Sequence, residues 1–227
     1  MRTGLIAAIV MLLLPVAAVC AQEPYFCCRQ GAELHYERSH ASGGALKWRH
    51  TMKISSVSST GAGVREVDYS SRFTKPGGAA MYGGPVALHA VVGAGGNVTM
   101  SVSSTLESVF RNLFPNAEIR SEGGETVLPA AMKPGDTLPD VFSSVTVKGL
   151  RYTVSVTERK VLRTETLHTP AGDFDCIVLS EHKVEKGPGR NRNTVAQTWY
   201  ARGTGMVRHD TYERGKLDTV ELLVSAD

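Results

Sequence analysis

The chain has 227 residues, with 25 basic against 22 acidic side chains, a formal charge of +3 and 42% hydrophobic residues. So near-neutral a balance does not suit a nucleic-acid partner, which calls for a clustered basic face. Length and apolar content suit one domain with a sizeable core.

The chain opens Met1-Arg2, continues through an apolar stretch from Leu5 to Val19 broken by Pro15, and reaches the small-residue end Val19-Cys20-Ala21. A basic start, a short apolar middle and a small-residue cleavage site make a secretory signal peptide. A bilayer-spanning helix needs roughly 20 apolar residues, so this run is too short to span, and no later segment is apolar enough either. Residues 1–21 are expected to be removed, leaving 22–227 as a single β-rich domain, periplasmic or secreted, with no transmembrane segment. The alternative is a lipoprotein acylated at Cys20. Val19 stands where such signals place Gly, Ala or Ser, which argues for the soluble form.

From Ala32 onward, strand-like runs alternate with Gly-, Pro- and Asn-containing breaks, the pattern of antiparallel sheet with hairpin turns. Strands are expected at 32–39, 45–58, 63–74, 86–92 and 97–103, with a glycine-rich loop at 75–85. Leu106, Val109, Phe110, Leu113 and Phe114 then fall at helical spacing, predicting an amphipathic helix over about 105–114. Ser104 and Glu107 form a capping box at its start, and Pro115 stops it. Residues 115–142 read as an irregular connection with one short strand near Thr126–Leu128. Strands resume at 143–148, 151–162, 163–169, 174–186, 194–202, 206–214 and 217–225. Turns are set by Pro170 with Gly172, by Gly203 and Gly205, and by Gly215. The basic cluster with Arg190 and Arg192 beside Gly187-Pro188-Gly189 reads as a solvated hairpin tip. The fold expected is mainly β, a single curved antiparallel sheet forming a half-barrel or open barrel, with one inserted amphipathic helix.

Motifs that announce catalysis are missing: there is no G-x-S-x-G and no H-E-x-x-H. Ser180-Glu181-His182-Lys183 matches S-x-x-K, but it lies in a strand, where positions three apart point to opposite faces. The histidines at 35, 40, 50, 89, 168, 182 and 209 are scattered and read as exposed or edge-strand polar groups. Gly203-Thr204-Gly205 lacks the third glycine and following helix of a phosphate cradle, so no cofactor is expected. Cys27, Cys28 and Cys176 permit one intramolecular disulfide, with Cys176 pairing to Cys27 or Cys28 because adjacent cysteines bond under strain. Zinc on three thiolates is the alternative, without the paired spacing that marks such sites, and unlinked thiols remain open.

The run Leu167-His168-Thr169-Pro170-Ala171-Gly172-Asp173-Phe174-Asp175-Cys176, then Trp199-Tyr200-Ala201-Arg202-Gly203-Thr204-Gly205-Met206-Val207-Arg208, resembles a family of exported bacterial proteins of unknown function, sometimes labelled TapB-like. Met132 to Pro139 and Gly31 to Tyr36 also fit its pattern. The resemblance implies a curved half-barrel with a helix on its concave side, similar to the lipoprotein carriers LolA and LolB, in a Gram-negative envelope. It implies no activity.

Three readings of function follow. A non-enzymatic carrier would hold an apolar or lipid-like ligand on the concave face, lined by Leu106, Val109, Phe110, Leu113 and Phe114 of the helix with Trp199 and Tyr200, which point to opposite faces of their strand. An adaptor or structural protein would bind another envelope protein through sheet edges or hairpin tips. An enzyme would need polar groups converging in a cleft. A carrier needs a hollow, conventionally about 300 Å³ or more, whereas an adaptor can be solid.

Overall fold

The computed structural model describes residues 22–227, so the signal segment and Cys20 lie outside the described residues. The strands in chain order are β1 (Glu33–His40), β2 (Leu46–Gly61), β3 (Val64–Thr74), β4 (Val86–Val92) and β5 (Val98–Ser101). After the helix α1 (Val102–Leu113) come β6 (Ile119–Gly123), β7 (Glu125–Leu128), β8 (Val141–Val147), β9 (Leu150–Thr169), β10 (Gly172–Gly187), β11 (Arg190–Ala201), β12 (Gly205–Glu213) and β13 (Lys216–Ala226). All 13 join one antiparallel sheet in the order β6-β8-β9-β10-β11-β12-β13-β1-β2-β3-β4-β5-β7. The expected mainly β fold, a single curved antiparallel sheet with one helix, is what forms, and it is nearly closed.

Closure follows from that order. The sheet's end strands, β6 and β7, are neighbours in sequence and meet through Gly124, so one kinked segment reaches both edges. Gly124 donates its N–H to the carbonyl of Phe142 in β8 and accepts from Val102 at the start of α1, just beyond β5. Gly123 has φ +142°, and a Cβ there would lie 2.5 Å from the Ser143 Cα and 2.6 Å from the Phe142 oxygen, so glycine is required for the close approach. Closing a sheet in this way removes the exposed edges that would otherwise template pairing with another chain.

Alternation along the strands puts two kinds of layer inside. Toward one end the interior is apolar, with Leu34, Ile54, Val67, Val92, Val98, Val161, Ile177, Leu179 and Leu223 almost wholly buried. Full burial of each such side chain stabilises by roughly 1.5–3 kcal/mol. The segment before β1 covers this end: Phe26 packs edge-on to Tyr69 at 5.2 Å, and the Arg202 guanidinium holds the Glu23 and Ala130 carbonyls. Farther along the same strands the interior turns polar. Arg38 pairs with Glu221 at 3.1 Å, and Glu221 also meets His50 Nδ1 at 3.1 Å. His50 stacks between Tyr36 and Phe73 and contacts Ser71 through Nε2. His50 and His209 are therefore interior groups on β2 and β12, not exposed ones; parity with Met52 and Val207 carries them inward.

Several boundaries differ from expectation for local reasons. The helix begins at Val102, because Ser101 Oγ caps it by accepting from Ser104 N at 3.1 Å. Glu107 closes no capping box; it binds Arg111 and Ser121 instead. Residues 119–123, read as irregular, form β6. The two strands expected across 151–169 are one strand, β9, bent by bulges opposite Val178/Leu179 and Ser180/His182. The Pro188-Gly189 tip and the Pro170 turn form as hairpins, with Gly172 at φ +128°.

Candidate functional site

The helix α1 stands over the gap between the two ends of the sheet. It touches β4 on one side and β6 and β8 on the other, with β7 below. It thus fills the barrel wall above the end of the short β5, and does not lie across the middle of the concave face. None of its residues is buried. An amphipathic helix of three turns is marginal alone, and docking of its apolar face supplies its stability; here that docking is partial. Phe110 packs on Tyr152 with ring centroids 4.7 Å apart, while Leu113 and Phe114 remain exposed, with the Lys148 ammonium over the Phe114 ring.

Beneath the first turns of α1 lies a hollow of about 230 Å³. Its helical wall is Val102, Thr105 and Leu106; the opposite wall carries Met100, Leu128, Val141, Val154 and Val156, and its floor holds Arg159, Glu181, Lys183 and Tyr200. Of the side chains predicted for a ligand site, Leu106 and Tyr200 reach this hollow. Phe110 closes against Tyr152 beside it, Leu113 and Phe114 point outward, and Val109 is half-buried on the same helix. Trp199 lies on the other face of β11, between the guanidiniums of Arg163 and Arg208, its indole N–H donating to Glu165. That clamp accounts for its burial without a ligand.

Arg159 is the residue that sequence periodicity misses. Simple alternation from Val156 would turn it outward, but β9 carries an extra residue here: Lys160 faces Ser180 and Thr157 faces His182, leaving two residues opposite Glu181. Glu158 takes φ +54°, a left-handed position that a β-bulge uses, and the parity flips. Arg159 thereby enters the interior with only 2% of its side chain exposed. Its Nη1 donates to the Pro139 carbonyl at 3.0 Å and its Nη2 to Thr126 Oγ1 at 2.8 Å. Its Nε finds no hydrogen-bond partner; the nearest carboxylate oxygen, Glu181 Oε2, is 3.7 Å away. Burial pushes the Glu181 carboxyl up despite the nearby Arg159 and Lys183 charges. Burial likewise holds the Tyr200 phenol protonated, well above its ordinary range.

Glu181 and Lys183 were legible in principle, since they continue the interior parity of Ile177 and Leu179 along β10. Ser180 has the opposite parity, so the S-x-x-K match brings no serine to the lysine. Cys27, Cys28 and Cys176 are free thiols, and no disulfide links Cys176 to Cys27 or Cys28. Cys176 points away from the interior face that carries Ile177, whereas Cys27 lies near the interior Tyr36, whose phenol is raised by burial first and then by Glu221 and Cys27. Gly203 and Gly205, at φ +67° and +94°, turn β11 into β12 beneath the N-terminal segment, where a Cβ on Gly203 would strike the Glu23 carboxylate.

A family model described as DUF3108-like matches residues 30–223. The chain belongs to the DUF3108-like family. Its fold is shared with solved structures of low identity. One is a protein of Bacteroides fragilis inferred to be exported, with a YmcC-like fold, at 23% identity and TM-score 0.72, covering 92% of this chain and 100% of that one. Another is a protein of Parabacteroides distasonis inferred to be a lipoprotein, at 18% identity and TM-score 0.73, covering 91% of this chain and 99% of that one. No curated protein matches by sequence. As a DUF3108-like protein the chain belongs to a family of unknown function. Among the described residues no helix is long and apolar enough to cross a membrane.

Proposed function

We propose that this DUF3108-like protein is exported to the cell envelope, with residues 1–21 removed, and binds a small apolar or lipid-like molecule non-catalytically beneath α1. Export is supported by the basic, apolar and small-residue order of the first 21 residues and by the description of the structural relatives. The observation that carries the binding reading is the helix itself: an apolar stripe with no buried residue stands over a hollow whose opposite wall is aliphatic. An unfilled apolar surface of this kind gains free energy when a ligand covers it. The carriers LolA and LolB offer the analogy for such a role.

The adaptor reading is second, and one observation favours it: the hollow, at about 230 Å³, is smaller than the usual range of about 300 Å³ and above. Two measurements decide. Native mass spectrometry of protein purified from its own envelope should show a copurifying small molecule, and the mature chain should bind a neutral fluorescent naphthylamine probe. A protein that carries nothing and leaves the probe dark is not a binder, and the adaptor reading then takes its place.

A further inference from the structure

We infer that the ligand of the hollow is an amphiphile with a single anionic head, a carboxylate, seated on the Arg159 guanidinium with its tail against the helix. This rests on the binding reading above and names the ligand class.

The argument starts from the cost of Arg159. A guanidinium withdrawn from water needs its five N–H donors satisfied, and a buried donor left without an acceptor costs about 1–3 kcal/mol, more when charged. Thr126 and Pro139 take one donor from each terminal nitrogen and so fix the plane of the fork. Nε is left without an acceptor, and Arg159 is one of the residues that line the hollow. Two parallel N–H donors on one side of a fixed guanidinium match the two oxygens of a carboxylate, the pairing for which arginine is best suited.

Charge points the same way. Lys183 also lines the hollow; its ammonium reaches Glu185 at 2.8 Å, and Glu185 is shared with Arg190. Among the described residues Glu181 is the carboxyl within 4 Å of Arg159, and at 3.7 Å it makes no hydrogen bond to Nε. Burial pushes its carboxyl up against the lowering Arg159 and Lys183 charges, which weakens its competition with an incoming carboxylate for the guanidinium. The tail would then run along Met100, Leu106, Leu128, Val141, Val154 and Val156, all lining the same space.

The test compares octanoate, octanol and octylammonium as displacers of the neutral probe from the mature protein. Octanoate should displace at concentrations about tenfold or more below octanol, the order expected for a charge-assisted pair in a desolvated site, and octylammonium should be weakest. In Arg159→Met the ratio of octanoate to octanol displacement should fall to about one, whatever the variant's affinity for octanol itself. Should that variant fail to fold, the wild-type ratio still decides. Equal displacement by octanoate and octanol overturns the anionic head while leaving a hollow that binds apolar chains. Displacement by none of the three overturns the binding reading itself.

Discussion

Gly124 and Phe142 tie together the two ends of one sheet: the glycine N–H donates to the Phe142 carbonyl at 3.0 Å, while the glycine carbonyl accepts from Val102 at 3.3 Å on the other side. The barrel closes through one residue that is bonded to both neighbours. Its predecessor, Gly123, has backbone of β8 where a side chain would be.

Gly123→Ala is therefore expected to destabilise the fold by about 1–3 kcal/mol, since both the overlap and the positive φ must be relieved. Gly172, also at positive φ but with nothing within 4 Å of a Cβ, provides the comparison. Gly172→Ala should cost only the backbone strain. Thermal melts in which the two variants lose equal stability would show that the seam yields easily.

Stability should fall as the pH drops from about 6.5 toward 4. Burial, reinforced by the Arg38 charge, brings the His209 pKa down to about 4 from an ordinary 6.5. The unfolded chain therefore binds this proton first as the pH drops, and its contribution is complete above the unfolded value and lost toward the folded one. The slope from one such group is about 1.4 kcal/mol per pH unit at most. Glu221 extends the loss to lower pH. Burial pushes its carboxyl up, but the His50 hydrogen bond and the His50 and Arg38 charges outweigh it and hold the pKa below the ordinary value. His209→Gln should flatten the profile between pH 6.5 and 4; an unchanged profile would assign the slope to other groups.

Glu221→Gln should cost about 3–5 kcal/mol in urea denaturation at neutral pH, the range for breaking a buried pair and leaving one charge behind. Arg38, 12% exposed at its side chain, would keep its bonds to Thr211 and Thr219 but no carboxylate. A change under about 1 kcal/mol, typical of an exposed pair, would mean that water reaches this layer.

The folded protein should titrate slowly with a thiol reagent at pH 8 and release three thiols after denaturation without reductant. Burial pushes the Cys176 thiol up to about 11 and raises that of Cys28, so little thiolate is present. A single thiol in the denatured, unreduced chain would mean that a disulfide had formed.

Phe110→Ala should cost about 1–2 kcal/mol, below the 3–5 kcal/mol of a fully buried aromatic, because the ring is half-buried and chiefly loses its contact with Tyr152. Urea denaturation measures it. A loss in the full range would place the helix on a solid core.

The hairpins were legible because their signals are local: alternation along β4, β10 and β12, and Gly or Pro at the tips. The helix was legible from the spacing of Leu106, Val109 and Phe110. Its position was not, since no periodicity says which strands stand on either side of it. The site was half legible. Tyr200 and Leu106 follow from pattern alone, and Glu181 and Lys183 could have been read as the charged continuation of the Ile177–Leu179 face. Arg159 could not, because the extra residue at Glu158 inverts inside and outside within one strand, and a bulge leaves no mark in composition. The pairing of Gly123 and Gly124 was read as irregular chain for a similar reason: its meaning lies in the approach of β8, far along the sequence.

The place of the chain's two ends in the sheet has a consequence for how the molecule comes into being. β1 pairs with β13, and Glu33 and Asp227 exchange backbone hydrogen bonds, so the first strand finds one of its two neighbours only when the last has arrived. Contacts of such sequence separation form late, because the loop entropy must be met before they reward it. While β2 to β5 pair in turn along the chain, the outer edge of β1 keeps its backbone groups unpaired until β13 joins it. The edge of β1 is thus the part of the sheet that stays open longest, an unpaired rim of the kind that templates pairing with another chain.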